Sequence, residues 1–202
     1  MKQTLSPQQE NFFQKNGYLE LEGLLNEADC KEFLQRRSKL CPNGRDLGQR
    51  DSWILSLAKR RSWTHFAKEL FQTPFLRLAL DHYFQSSLPF LQGLTLNQAY
   101  SFQSLLGGLL LRLTDSLPSQ EKREPLSSLL ETPGNGLFFS ADTLLDRTRL
   151  NILSGQSFWM IGYGTRSTLY IYNAADPQAH LLKAEGYSYG DRLSAPRHPL
   201  LH

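Results

Sequence analysis

The segment SPQQENFFQKNGYLELEGLLNEADCKEFL, residues Ser6–Leu34, constrains this chain more than any other stretch. Ser6 suits an N-cap, Pro7 the first helical position, and Gln9 completes a capping box in which side chain and backbone exchange hydrogen bonds. Gly17 supplies the left-handed residue that ends such a helix. Tyr18, Leu19 and Leu21 follow as a short strand, and Asn26 or Asp29 starts a second helix. Helix, glycine stop, strand, tight turn and helix are therefore expected within thirty residues.

A chain of 202 residues with 40% hydrophobic and 11% aromatic content is long enough for one domain with a proper core. No apolar run approaches the roughly 20 residues of a membrane helix. The opening MKQTLSPQQ lacks the apolar block of a signal peptide, so a cytoplasmic location and no membrane partner are expected. Cys30 and Cys41 have no zinc-knuckle spacing and read as structural thiols. The net charge is only +3. Arg45, Arg50, Lys59, Arg60 and Arg61 cluster near Trp53 and Trp63, a combination that can bind nucleic acid by stacking and phosphate contact. A solvated helix edge over core tryptophans explains them more simply, and nucleic acid is not expected as a partner.

The first half reads as helical: Asn26–Leu40 up to the turn Cys41-Pro42-Asn43-Gly44, then Trp53–Ala58, Thr64–Phe71 and Pro74–Tyr83. From Gly93 onward the pattern is β. Gly93–Phe102 alternates, and Leu105–Leu113 is a continuous apolar run with a bulge expected at Gly107-Gly108. Thr114–Glu131 is a polar connection with a helical turn at Leu126–Leu130. Gly136–Ala141, Arg149–Leu153, Ser157–Gly162 and Ser167–Tyr172 are short β-rich runs. The expected fold is α+β, a single domain 1–202 with a helical buttress over 1–90, a β-core over 91–173 and an extension over 174–202. Short strands at this spacing suit a jelly roll with helices on one side.

The opening segment, with Phe12-Phe13 ahead of Asn16-Gly17-Tyr18-Leu19, resembles the start of the phytanoyl-CoA dioxygenase-like family of iron(II)- and 2-oxoglutarate-dependent oxygenases. The resemblance implies a double-stranded β-helix, a cupin-like jelly roll with N-terminal helices packed on one sheet. Arg166-Ser167-Thr168-Leu169-Tyr170-Ile171-Tyr172 is similar to that family's last core strand, which implies that Arg166 would bind the 2-oxoglutarate carboxylate. It also implies a His-x-Asp or His-x-Glu pair and a second histidine around iron. None of the five histidines, His65, His82, His180, His198 and His202, begins such a pair, and none lies between Tyr83 and Tyr172.

Asp115, Asp142 and Asp146 are the aspartates of the β-core, and an all-oxygen set would favour harder ions. Gly136-Leu137-Phe138-Phe139 resembles the strand before the second histidine, but Leu144-Leu145-Asp146 stands where that histidine is expected. A competing match, Gly190-Asp191-Arg192-Leu193 with His198, leaves no room for a following arginine strand. Asp81-His82 are adjacent on an expected helix and cannot face one metal. All five histidines read as packing or surface residues, with a surface metal site at His180, His198 and His202 as the lesser alternative. No Gly-x-Ser-x-Gly elbow, nucleotide cradle or placed Cys–His pair is present.

The resulting expectation is an oxygenase-like scaffold with no metal or cofactor bound and a binding or interaction role, with Arg166 holding a small carboxylate. The alternatives are an oxygenase with an unconventional metal site, using Asp142 or Asp146 and a tail histidine, and a nucleic-acid-binding regulator using Arg45–Arg61.

Overall fold

The computed structural model describes residues 4–40, 44–85, 93–114, 130–144, 150, 155–195 and 197–202. Its opening is the one the sequence dictates. Helix α1 spans Pro7–Asn16, with the Ser6 hydroxyl accepting from Gln9 N at 3.2 Å and the Gln9 side chain accepting from Ser6 N at 2.9 Å. Gly17 ends it at φ 76°, and a Cβ there would lie 2.3 Å from the Thr143 hydroxyl, so both conformation and space require glycine. Strand β1 (Tyr18–Leu21) and helix α2 (Glu27–Arg37), capped by Asn26, complete the module. Short helices α3 (Ser52–Ala58) and α4 (Arg61–Leu70) follow, with Trp63, Phe66, Ala67 and Leu70 buried at helical spacing.

The remaining elements are β2 (Leu76–Gln85), α5 (Leu96–Ala99), β3 (Phe102–Arg112), β4 (Gly136–Ser140), β5 (Ser157–Tyr170) and β6 (Leu200–Leu201). The described strands form one antiparallel sheet in the order β1-β4-β3-β5-β2-β6. Period-two alternation gives it two buried faces. Leu109, Leu111, Phe138, Trp159, Ile161 and Tyr163 pack under the helices, where Phe33 approaches Trp159 at 4.7 Å between ring centroids. Leu110, Leu137, Phe139, Phe158 and Met160 face the other way, covered by α5 and by Leu182 and Leu193 of the chain after β5. The N-terminal helices α1–α4 lie on one face of the sheet, as expected, α5 lies on the other, and among the described residues no second sheet covers that other face. No described helix is long and apolar enough to cross a membrane.

Three sequence expectations are corrected. Pro74–Tyr83 is the strand β2 instead of a helix: Leu76 and Leu78 enter one core and Leu80 and Phe84 the other. A strand buried on both faces loses its alternation and reads like a buried helix. Gly93–Phe102 is not a strand; Thr95 and Gln98 form a capping box for α5, and β3 starts only at Phe102. Ser157–Gly162 and Ser167–Tyr172 are one strand, β5, whose pairing with β3 jumps from Leu105↔Gly164 to Gln103↔Leu169 across a Thr165–Thr168 irregularity. The expected register break at the glycines of β3 is present beside Leu105–Gly107. The Arg149–Leu153 strand, the Leu126–Leu130 turn and Cys41 fall outside the described residues apart from Leu130 and Leu150, which are buried.

Candidate functional site

Two of the polar groupings in the interior bring residues of β2 and of the 44–50 segment against the C-terminal extension. In the first, Arg45 and Asp176 are an ion pair across 131 residues, both nearly inaccessible, with Arg45 Nη1 2.9 and 3.0 Å from the two carboxylate oxygens. Asp176 also accepts from Ser101 N and Gln178 N, each at 2.9 Å, and the Arg45 guanidinium lies over the rings of Tyr100 and Phe102. Burial opposes ionisation of Asp176, but the Arg45 charge and these hydrogen bonds hold its carboxyl below the usual range. Beside the pair, Asp81 accepts from Leu47 N, Gly48 N and Trp159 Nε1 at 3.0, 3.0 and 3.2 Å. Burial and the neighbouring Asp46 push Asp81 up to about 7. These groups are consumed by one another and tie the 44–50 segment to the sheet.

The second grouping lies at the β2–β5 edge. Arg77 projects from β2 on the face opposite Leu76 and Leu78, with Gly164 as its cross-strand partner. It is 8% exposed, its Nη1 donates to the carbonyl of His198, and its Nε has no partner. Burial lowers its proton affinity, the nearby Arg166 lowers it further, and only the Tyr187 phenol acts in the opposite sense. His198 is buried between the edges of Phe102 and Tyr187, with centroids 6.4 and 5.7 Å away. Burial drops its imidazole to about 4, so it is neutral at physiological pH. Arg166 itself is exposed at the β5 irregularity, with its guanidinium 3.8 Å from the centroid of the Phe75 ring.

The other sequence candidates are dispersed. His65 is exposed and 3.1 Å from Glu69, and His180 is exposed and bonded to the Tyr189 hydroxyl at 2.9 Å. His82 meets the Tyr100 hydroxyl at 2.9 Å and stacks 4.1 Å from Phe84. Its predicted helix is the strand β2, so it and Asp81 point to opposite sheet faces. Asp142 and His202 are exposed, and Asp115 and Asp146 lie outside the described residues. Among the described residues no three of His, Cys, Asp and Glu gather as a metal site. Cys30 is buried, its thiol pushed up to about 11 by burial, as a structural thiol should be. The basic row does not form one surface: Arg45 is internal, Arg60 bonds Asp29 at 3.0 Å and lies over Trp63, and Trp63 is buried. Sequence reasoning missed Arg77 and Asp176. Arg77 was hidden by the helical reading of its strand, although an arginine inside LRLALDHYF is itself a signal.

No protein-family model matches this sequence, and no curated protein matches it. Solved structures do share its fold, that of non-haem iron and 2-oxoglutarate-dependent oxygenases. The carbocyclase SnoK of nogalamycin biosynthesis, described as alpha-ketoglutarate dependent, superposes with a TM-score of 0.69 at 15% identity, over 98% of this chain and 97% of its own. The epimerase SnoN, solved with Fe3+, alpha-ketoglutarate and nogalamycin RO, gives 0.63 at 14% identity over 96% and 98%. CT296 from Chlamydia trachomatis gives 0.54 at 21% identity, over 81% of this chain and 97% of its own.

The expectation of no metal or cofactor is thereby corrected: a structure of this fold holds iron and alpha-ketoglutarate together. The histidine pattern of the sequence was too narrow a basis for excluding them. The described residues nonetheless offer iron no three-ligand cluster, and the sheet face away from the helices is filled by Leu110, Phe139, Phe158 and Met160. For a carboxylate the chemistry is better matched, because Arg77 and Arg166 put two guanidinium groups at one corner.

Proposed function

We propose that this chain binds a small carboxylate of the 2-oxoglutarate type on a double-stranded β-helix scaffold of the phytanoyl-CoA dioxygenase-like kind, with Arg166 at the site. The whole chain acts as one domain, in which the C-terminal extension closes over the sheet. The observation behind the reading is the positive corner at Arg77 and Arg166, to which the described residues bring no carboxylate. The alpha-ketoglutarate bound by SnoN lends the choice of ligand its support. Titration calorimetry of the purified chain with 2-oxoglutarate and succinate tests it, and the expected result is saturable binding that weakens with salt. Binding of neither acid overturns it.

A second reading, an oxygenase with an unconventional metal site, is favoured by the iron in SnoN. It requires that iron(II) and 2-oxoglutarate together produce succinate and consume oxygen. Tight 2-oxoglutarate binding with no turnover after iron addition decides for the binding role.

A further inference from the structure

A charged cavity beside α4 takes no part in the groupings described above. It holds about 320 Å³ and among the described residues is lined by Arg61, Thr64, His65, Lys68 and His202. Arg61, His65 and Lys68 recur at i, i+4 and i+7 on α4, and His202 reaches them from just beyond β6, which pairs with β2. Arg61, His65 and His202 are exposed and Lys68 is half-buried, so these side chains border space that solvent reaches. No carboxylate side chain lines the cavity, and among the described residues neither the Arg61 nor the Lys68 side chain has an ion-pair partner. Glu69, the acid of α4, engages His65 at 3.1 Å, and Asp29 near the start of α4 is bonded to Arg60. Like charges one turn apart cost stability, and α2 avoids them by pairing Lys31 with Glu27 and Arg36 with Glu32. α4 has no such compensation, and its first turn carries Arg61 where α1 and α2 place Glu10, Glu27 and Asp29. The positive end of its dipole therefore adds to the field at the cavity instead of being offset.

From this arrangement we propose that the α4 cavity binds the phosphate group of a small phosphate monoester. Arg61 can bond two phosphate oxygens in parallel, and Lys68 serves as a point charge for a third. His202 supplies an imidazole from the end of the chain. Phosphate is favoured over a carboxylate because two unpaired cations share one cavity, and one carboxylate neutralises only one of them. The volume falls within the range of small-molecule sites, about 300–1,000 Å³. The site is independent of the carboxylate-binding reading above, since neither Arg77 nor Arg166 lines this cavity.

The test is calorimetry and thermal melting of the full chain with inorganic phosphate, glycerol 3-phosphate, a single-stranded oligonucleotide, and chloride at matched ionic strength. Both phosphates should bind saturably and raise the melting temperature, and chloride should do neither. Arg61→Gln and Lys68→Gln should each weaken phosphate binding at least about tenfold, the loss of a hydrogen bond to a charged group. His202→Ala should weaken it about threefold, and Lys39→Gln, an exposed lysine away from the cavity lining, less than about twofold. Without anion, Arg61→Gln and Lys68→Gln should melt no lower than wild type, because each relieves like-charge repulsion. A chloride response equal to that of phosphate, or a loss with Lys39→Gln equal to that with Arg61→Gln, reduces the effect to general screening and overturns the site. A folded Arg61→Gln/Lys68→Gln double variant that binds phosphate as wild type does also overturns it. Oligonucleotide binding with no response to either phosphate overturns it in favour of a surface for polyanions.

Discussion

Replacing Arg45 by methionine removes one side of an ion pair that joins the chain's first quarter to its C-terminal extension. The Asp176 carboxylate would remain 4% exposed, keeping its hydrogen bonds from Ser101 N and Gln178 N but losing the guanidinium that offsets its burial. Breaking a buried pair from one side costs about 3–5 kcal/mol, because the surviving charge is left uncompensated. With a urea slope of about 2 kcal/mol per molar, the unfolding midpoint should fall by about 2 M at pH 7. Two controls give the number meaning. Asp176 is held below its ordinary range in the native protein, so its contribution is present above the unfolded carboxylate range and lost as pH falls through it. The deficit of Arg45→Met should therefore shrink near pH 4, where the stranded carboxyl takes up a proton. The double variant Arg45→Met/Asp176→Leu should recover most of the loss at pH 7, since an apolar replacement of both partners is often neutral. By contrast, Arg36→Met, which removes a partly exposed pair with Glu32 and Asp51, should cost less than about 1 kcal/mol. Chemical denaturation followed by tryptophan fluorescence measures all four. A midpoint shift under about 0.5 M for Arg45→Met, or a double variant no better than the single, refutes the reasoning.

Gly107→Ala would place a methyl 2.1 Å from the Phe139 carbonyl of the paired strand β4 and 2.6 Å from the Phe71 ring at the end of α4, so a loss of about 3 kcal/mol is expected in urea denaturation. His198 is lowered to about 4 by burial, so its share of stability is complete above about 6.5 and disappears as pH falls toward 4, amounting to about 3 kcal/mol. The difference between wild-type and His198→Phe stabilities, measured from pH 8 to pH 4.5, should narrow steadily toward acid; a constant difference contradicts the assignment. Asp81 runs the other way: raised to about 7, it binds its proton more tightly folded than unfolded, so its contribution is complete at acid pH and is lost as pH rises through about 7. Asp81→Asn should therefore lack that alkaline decline, as urea midpoints at pH 5 and pH 8 would show.

How far the molecule is legible in its sequence follows the range of the interactions involved. Ser6, Gln9, Gly17 and Asn26 act within one turn of themselves, and the α1–β1–α2 module follows from them as expected. β4 and β3 carry enough uniform apolar length to be read as strands, but β2 has the same signature at a place where helices precede it, and only its pairing with β5 separates the two readings. The site lies a step further from the sequence. Arg45 and Arg77 are both buried, and local patterning cannot rank them, because what distinguishes them is an acid 131 residues away that reaches one and not the other. Arg166 drew attention by its place at the head of a recognisable strand, yet the Thr165–Thr168 irregularity turns it outward onto Phe75 and leaves the inward position opposite Gly164 to Arg77. The balance of charge around each of these arginines is a long-range property of the folded chain, set by which acid the fold brings within reach.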